Sequence, residues 1–269
     1  MTDIIGKRMK EFYEQIPDVK LTRRTPVAIR IDGKAFHTFT KGFRRPFDRL
    51  LMNCMQQTMK YLCMNIQGCV LGYTQSDEIT LILVDYEKLD SCAWFDYRVQ
   101  KMASVAASMA TMSFNRQFSY AAEQYIREHK YIIGLPDDKA KYVKALEKAL
   151  ESGAMFDARC FNIPKEEVCN LIYWRQADAA RNSIQMAGYA YFSQKEMQNK
   201  NTSQVQDMLH EQKGINWNDY PTDCKRGACC KRDANGNWII DKNIPIFKGQ
   251  DRDYVEKLVY EVKTDGKLS

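Results

Sequence analysis

Three features of the sequence predict an α+β fold of the ferredoxin-like, β-α-β-β-α-β kind. Val27 to His37 reads V-A-I-R-I-D-G-K-A-F-H, a β-branched apolar run that stops abruptly at Asp32-Gly33. Val70 to Val84 reads V-L-G-Y-T-Q-S-D-E-I-T-L-I-L-V, two strand-like runs joined by Gln75-Ser76-Asp77-Glu78, the pattern of a hairpin with acids at its tip. A helical segment precedes that hairpin and another follows it, which gives strand, helix, strand, strand, helix in order.

From the N-terminus, Ile4, Ile5, Met9, Phe12 and Tyr13 recur at helical spacing in a segment closed by Pro17, and are read as a packing helix. The first strand and a polar turn, Thr38 to Asp48, come next. Asp48 is placed to cap a helix to about Ile66, with Leu50, Leu51, Cys54, Met55, Thr58, Met59 and Leu62 as its apolar face. After the hairpin, Asp90 to about Phe114 reads as an Ala/Met-rich helix whose Ala103, Ala106, Ala107 and Ala110 allow close packing on a sheet. Residues 115–153 read as a helical insertion on the core, broken at Gly134-Leu135-Pro136-Asp137. Phe156 to Asn162, stopped by Pro164, is the last core strand. Lys165 to Ser193 reads as a helix with Gly188 as a weak point, and Thr202 to Gln212 as another capped by Thr202-Ser203. Asn235-Gly236 signals a second hairpin, and the tail after Asp251 is amphipathic. The expected organisation is a catalytic core over 1–164 with the insertion, and a helical and hairpin extension over 165–269 integral to the same unit.

Composition sets the outer bounds. A chain of 269 residues with 45% hydrophobic content can fill a substantial core, and a net charge of +6 permits a polyanionic partner without demanding one. Nine cysteines, an odd number with no preceding secretory segment, point to reduced thiols and a cytoplasmic setting. Cys224, Cys229, Cys230 and His210 lack the spacing of a standard zinc site. No apolar stretch reaches the roughly 20 residues of a membrane span, so no membrane partner is expected.

A carboxylate at a strand end, followed by a residue free to turn, presents a metal ligand on a rigid support. If the two strands lie side by side, Asp32 and Asp77 converge, an arrangement suited to a divalent cation pair handling phosphates. Lys41, Arg44 and Arg45 could then meet a triphosphate. Acids and cations in turns are equally ordinary solvated loop residues, and the residues alone leave both readings open. For RNA contact the exposed-looking cations are Arg175, Arg181, Lys200, Lys225, Arg226 and Lys231, again against a solvated face as the alternative.

Four ordered blocks then carry a resemblance: Arg30-Ile31-Asp32-Gly33 through Phe36-His37; Tyr73 through Glu78; Phe156-Asp157-Ala158-Arg159 with Tyr173 through Asp178; and Gly214 through Asp219 with Lys225-Arg226-Gly227. In these blocks the chain resembles the tRNA-His guanylyltransferase superfamily, in particular its guanylyltransferase-like branch, which adds nucleotides 3′-to-5′ to RNA 5′ ends. The resemblance implies a polymerase-palm core, a homotetramer, tRNA as partner, and ATP, GTP or other nucleoside triphosphates as substrates. It implies Asp32, the Gly33 carbonyl and Asp77 as holders of two Mg²⁺ ions, with Glu78 as a third catalytic acid beside them. Gly33, Lys34, Ala35, Phe36, His37, Arg45, Asp48 and Ser76 match the stretch around the nucleotide, and Asn216 matches a polar position near the active site or RNA end. Eukaryotic members carry His-Ile-Asn-Asn where this chain has Ala180, Arg181, Asn182 and Ser183, which moves the implied substrate from tRNA-His alone towards template-directed repair of truncated 5′ ends. Arg45 also replaces a common lysine, keeping the charge but not the shape.

Two other classes compete. A nucleotidyl cyclase on the same plan would carry Gly-Gly-Asp/Glu-Glu-Phe at the hairpin tip, where this chain has Gln75-Ser76-Asp77-Glu78. A non-catalytic RNA-binding protein has no use for both acids.

Overall fold

A computed structural model gives the structure of the protein and describes residues 3–88 and 90–260. Its elements run α1 (Ile4–Met9), β1 (Val27–Gly33), α2 (Phe36–Phe39), α3 (Arg49–Asn65), β2 (Cys69–Gln75), β3 (Glu78–Leu83), α4 (Val99–His129), α5 (Asp137–Ser152), β4 (Phe156–Asn162), α6 (Lys165–Tyr191), α7 (Gln194–Met197), α8 (Thr202–Lys213), α9 (Thr222–Arg226), β5 (Ala228–Arg232), β6 (Trp238–Asp241) and α10 (Asp253–Tyr260). The strands form one sheet in the order β4-β1-β3-β2-β5-β6, antiparallel at every pairing. The first four strands have the ferredoxin-like order expected of a palm. The hairpin signalled by Asn235-Gly236 closes β5 on β6, and β5 pairs with β2.

Alternation along each strand sends its side chains to two different cores. Val27, Ile29, Ile31, Ile79, Leu81 and Leu83 meet α3, α4 and α5 on one face, whereas Ala28, Leu71, Tyr73 and Ile82 meet α6 and α10 on the other. Every residue of β3 is buried, so this strand is the spine of the molecule. Helix α3 starts where Asp48 caps it, the carboxylate accepting from the Leu51 N–H at 3.0 Å, and buries Cys54, Met55, Thr58, Met59 and Leu62 as its periodicity requires.

Several elements depart from expectation. The helix expected from Asp90 starts at Val99, because Trp94–Tyr97 forms a tight turn with Phe95, Asp96 and Tyr97 in left-handed backbone and the Trp94 and Phe95 rings 4.6 Å apart. It then continues past Phe114 to His129, since nothing there breaks it and Phe114, Phe118 and Ala122 keep its buried stripe in register. The cap of α8 is Asn201 rather than Thr202, in a reciprocal capping box with Gln204. Gly188 is a point of helix contact: a Cβ there would stand 2.4 Å from Met197 Cε and 2.8 Å from Val205 Cγ1. The N-terminal segment does not pack as expected, leaving Ile4 77% and Ile5 74% exposed. Residues 1–2 of that segment and residues 261–269 of the amphipathic tail lie outside the described residues. Among the described residues no helix is long and apolar enough to cross a membrane.

Candidate active site

The centre of the site is the junction of β1 with the β2–β3 hairpin. Register pairs Asp32 with Glu78, so Asp77, at the hairpin tip, stands beside the end of β1. The Gly33 N–H donates to the Asp77 carbonyl at 3.1 Å and ties the two strand ends together. Past Gly33 the chain folds back so tightly that a Cβ on Gly33 would lie 2.2 Å from the Phe36 ring. Phe36 is anchored there by Phe39, Phe114 and Phe156, with ring centroids at 5.1, 5.5 and 5.2 Å. Ala35 and Ser76, with φ of 54° and 50°, hold left-handed backbone on the two loops that meet here, a conformation non-glycine residues adopt at a cost.

These loops border a cleft of about 770 Å³. Gly33, Ala35, Phe36, His37, Arg45, Asp48, Ser76 and Asp77 line it together with Lys41 and Arg44, so most of the expected nucleotide-site residues do converge. Arg44 is held rigidly, donating to the Tyr125 hydroxyl at 2.6 Å with its guanidinium over the Tyr125 and Tyr142 rings at 4.9 and 4.4 Å. Lys41 and Arg45 are exposed and form no ion pair among the described residues. Asp48 contributes shape more than charge: its oxygens are taken up by the Leu51 and Arg44 N–H groups at 3.0 and 3.1 Å. The far end of this loop is clamped by the C-terminal segment, Arg49 donating to both Asp223 oxygens at 2.9 and 2.8 Å and Phe47 meeting the Tyr220 ring at 5.2 Å.

Burial raises the Asp77 carboxyl pKa; the Ser76 hydroxyl and its own backbone N–H oppose that, and Asp32 adds to it. Burial also raises Glu78, against the attraction of Arg175 and Arg30. Asp77 is thus an oxygen donor that burial and the neighbouring Asp32 charge both work against, and it forms no ion pair among the described residues. A hard divalent cation that keeps water and substrate phosphates in its shell suits two such neighbouring carboxylates. Among the described residues no group of three or more His, Cys, Asp or Glu is gathered that could hold a metal without further ligands.

Other expected residues lie elsewhere. Asp32 is half-buried and not part of the cleft lining. Lys34 turns to a second, smaller cleft. Glu78, expected beside the metal ligands, is buried away from the cleft and accepts from Arg175 Nε at 2.7 Å. That contact corrects the assignment of Arg175 to an RNA face: it is 8% exposed and spans Glu78 and Asp178 beneath the Trp174 ring. Lys225 is corrected likewise, being 8% exposed with Nζ donating to the Asn218 carbonyl. Asn216 caps a turn by accepting from the Asn218 N–H at 3.0 Å. Arg181 is exposed and paired with Asp178 at 2.7 Å; Arg226 is partly buried; Lys231 sits 3.5 Å from the Tyr254 ring centre. Sequence reasoning did not single out Met186 and Tyr189, which form the α6 wall of the cleft. Their spacing, i and i+3 on one helical face and off the buried stripe of Ile184, Ala187 and Gly188, was the available signal.

This geometry has counterparts among known proteins. The model of the tRNAHis guanylyltransferase family, Thg1, matches residues 6–164. A bacterial tRNA(His) guanylyltransferase-like protein solved in complex with ATP superposes with a TM-score of 0.80 at 41% identity, over 95% of this chain and 99% of that one. One solved in complex with GTP gives 0.72 at 37%, over 96% and 100%. An uncharacterized protein of Acanthamoeba polyphaga mimivirus is 28% identical over 90% of this chain and 84% of its own length. A probable tRNA(His) guanylyltransferase of Dictyostelium discoideum is 25% identical over 80% and 78%.

Proposed function

The chain belongs to the tRNAHis guanylyltransferase family, and on that premise we propose that it is a nucleotidyltransferase adding nucleotides 3′-to-5′ to the 5′ end of tRNA. The observation that carries the reading is the cleft of about 770 Å³ whose lining holds Asp77 together with Lys41, Arg44 and Arg45, a carboxylate and three cations in a space of the size that takes a nucleoside triphosphate. The kinship with proteins solved with ATP and with GTP supports both as substrates.

The chemistry follows from what an RNA 5′-monophosphate lacks, a good leaving group. An adenylyl group from ATP supplies one, releasing pyrophosphate, and the 3′-hydroxyl of the incoming nucleotide then displaces AMP. Arg44, fixed by Tyr125, and the freer Lys41 and Arg45 bind the triphosphate and offset charge as it develops. His37 and Ser76 lie within the same cleft and complete its polar lining. Asp32, Asp77 and the Gly33 carbonyl would hold two Mg²⁺ ions, which lower the pKa of an attacking hydroxyl and neutralise phosphate charge when bound. Glu78 ties the start of β3 to α6 through Arg175. Residues 165–269 act with the core as one catalytic unit: α6 supplies a cleft wall and α9 clamps the loop.

The absence of a histidine at Ala180 supports repair of truncated 5′ ends over addition restricted to tRNA-His. Homotetramer assembly and a cytoplasmic setting belong to the same reading, the former supported by apolar residues left exposed at Ile4, Ile5 and Ile133 and tested by light scattering of the full chain. The deciding experiment supplies Mg²⁺, ATP, labelled nucleotides and two 5′-monophosphorylated tRNAs, full-length tRNA-His and another tRNA lacking its first nucleotide. Filling of the truncated end is expected; extension of tRNA-His alone overturns the repair reading, and extension of neither overturns the function.

A further inference from the structure

Lys34 belongs to a surface that the nucleotide reading does not use. On the other side of α2 lies a second cleft of about 230 Å³. Its floor is apolar, Phe39, Ala145 and Ala149, and its rim carries Lys34, Lys41 and Lys148. Lys34 projects from the β1–α2 turn, whose N–H is fixed to the Met155 carbonyl at 2.9 Å, and Lys148 from α5. All three lysines are exposed, none forms an ion pair among the described residues, and no acid lines the cleft. Lys141, exposed and seven residues before Lys148, lies on the same side of α5 and prolongs the basic line by roughly 10 Å. The neighbouring Glu147 is engaged by Lys130 at 2.7 Å, and Glu151 is outside the lining.

Like charges gathered on one concavity cost free energy that a bound polyanion recovers. We propose that this lysine-lined groove binds the sugar-phosphate backbone of the RNA substrate and leads it to the nucleotide cleft, an inference that rests on the function proposed above. A second free nucleotide suits it less well. The volume falls below the roughly 300 Å³ at which small-molecule sites begin. Its one aromatic, Phe39, is only 9% exposed and gives a base nothing to stack on. Lysine ammoniums are flexible point charges that meet phosphates regardless of sequence. The connection to the site is direct, because Ala35 and Lys41 line both clefts. A strand held along α5 would therefore pass over α2 with its end at Asp77.

Lys148 tests this cleanly, being exposed and outside the nucleotide cleft. Full-length wild type, Lys148→Ala, Lys148→Glu and, as a charge control on the opposite face of the sheet, Lys257→Glu are titrated with a 3′-labelled, 5′-monophosphorylated tRNA lacking its first nucleotide, across a range of KCl. Loss of one phosphate contact should weaken binding about threefold in Lys148→Ala and roughly tenfold in Lys148→Glu, lowering the salt slope by about one. ATP affinity and melting temperature stay at wild-type values. Unchanged tRNA affinity in Lys148→Glu, an equal loss in Lys257→Glu, or a parallel loss of ATP affinity overturns the groove. Wild type that fails to extend tRNA while Lys148→Glu still binds it more weakly overturns the proposed function and leaves the groove standing; the reverse pattern overturns the groove alone.

Discussion

Asp77 and Glu78 are chain neighbours with carboxylates of the same charge, yet the fold gives them opposite fates. Glu78 starts a strand buried on both faces and meets a guanidinium, Arg175 Nε at 2.7 Å, with Arg30 Nε at 3.9 Å. Burial and Asp32 work against both carboxylates, but Asp77, partly buried on the hairpin tip, is helped only by the Ser76 hydroxyl and its own backbone, with no guanidinium beside it. One acid is paired with a cation by the protein, and the other lines the cleft without an ion pair among the described residues, where the proposed function assigns it a metal. A carboxylate whose partner is missing from the fold marks the working side of the strand, and a paired one marks the supporting side.

The sharpest way to break this contrast is Asp77→Ala. Nucleotide addition should fall by about a thousandfold, roughly 4 kcal/mol of transition-state stabilisation, because the substitution removes a proposed metal ligand. Stability should hold or rise slightly, since a desolvated and poorly compensated charge is removed. Single-turnover rates and denaturant midpoints check both halves; an active Asp77→Ala enzyme sinks the assignment.

Arg175→Ala should act in the other currency. It leaves Glu78 buried and unpaired, at a cost of about 3–5 kcal/mol in stability. Replacing both partners, as Arg175→Met with Glu78→Leu, should restore much of that loss, because neither polar group is then stranded. If the double variant is no more stable than the single one, Glu78 has a further role on the cleft side.

How far the sequence carried depended on the range of each signal. Strand runs, the Asp48 cap, the Asn235-Gly236 turn and the buried stripe of α3 are local, and each appears in the structure where its residues stand. The Arg175–Glu78 pair spans 97 positions, and nothing near Arg175 announces it; a cation within a helix reads as solvated until the fold brings the acid beneath it. Lys225 differs: its partner, the Asn218 carbonyl, is only seven residues away, but a backbone acceptor in a loop carries no side-chain signal. The N-terminal helix leaves Ile4 and Ile5 exposed, since periodicity shows that a face is apolar, not that this chain covers it. In the site, the acids and cations were legible from their types, whereas Met186 and Tyr189, on a helix more than 100 residues later, were joined to them only by tertiary packing.

The backbone that ties the end of β1 to the Asp77 carbonyl can be tested at Gly33. A Cβ there meets the Phe36 ring at 2.2 Å, and Phe36 is wedged among three other phenylalanines. Gly33→Ala should therefore cost about 1–3 kcal/mol through overpacking and impair nucleotide binding as the Ala35–His37 turn shifts. Adding Phe36→Leu, which makes room, should recover stability more than activity, separating the packing role from the placement of the turn.

The smallest expected effect is also the most specific to this chain. Arg44 and Arg45 are adjacent cations on the cleft, but Arg44 is bound to Tyr125 and stacked between two rings while Arg45 is exposed and unpaired. A cation without a protein partner can serve a ligand with little effect on folding. Arg45→Ala should leave the melting temperature unchanged and raise KM for the triphosphate about tenfold, roughly 1.4 kcal/mol, with a weaker salt dependence. Arg44→Ala, by contrast, should lose stability as well as affinity, because the Tyr125–Tyr142 pocket loses its occupant. Arg45→Lys discriminates further: a ligand gripped by two parallel N–H groups tolerates it poorly, whereas one held by charge alone binds it nearly as well. Equal stability losses at Arg44 and Arg45 would erase the distinction between held and waiting charges on which the assignment of the cleft rests.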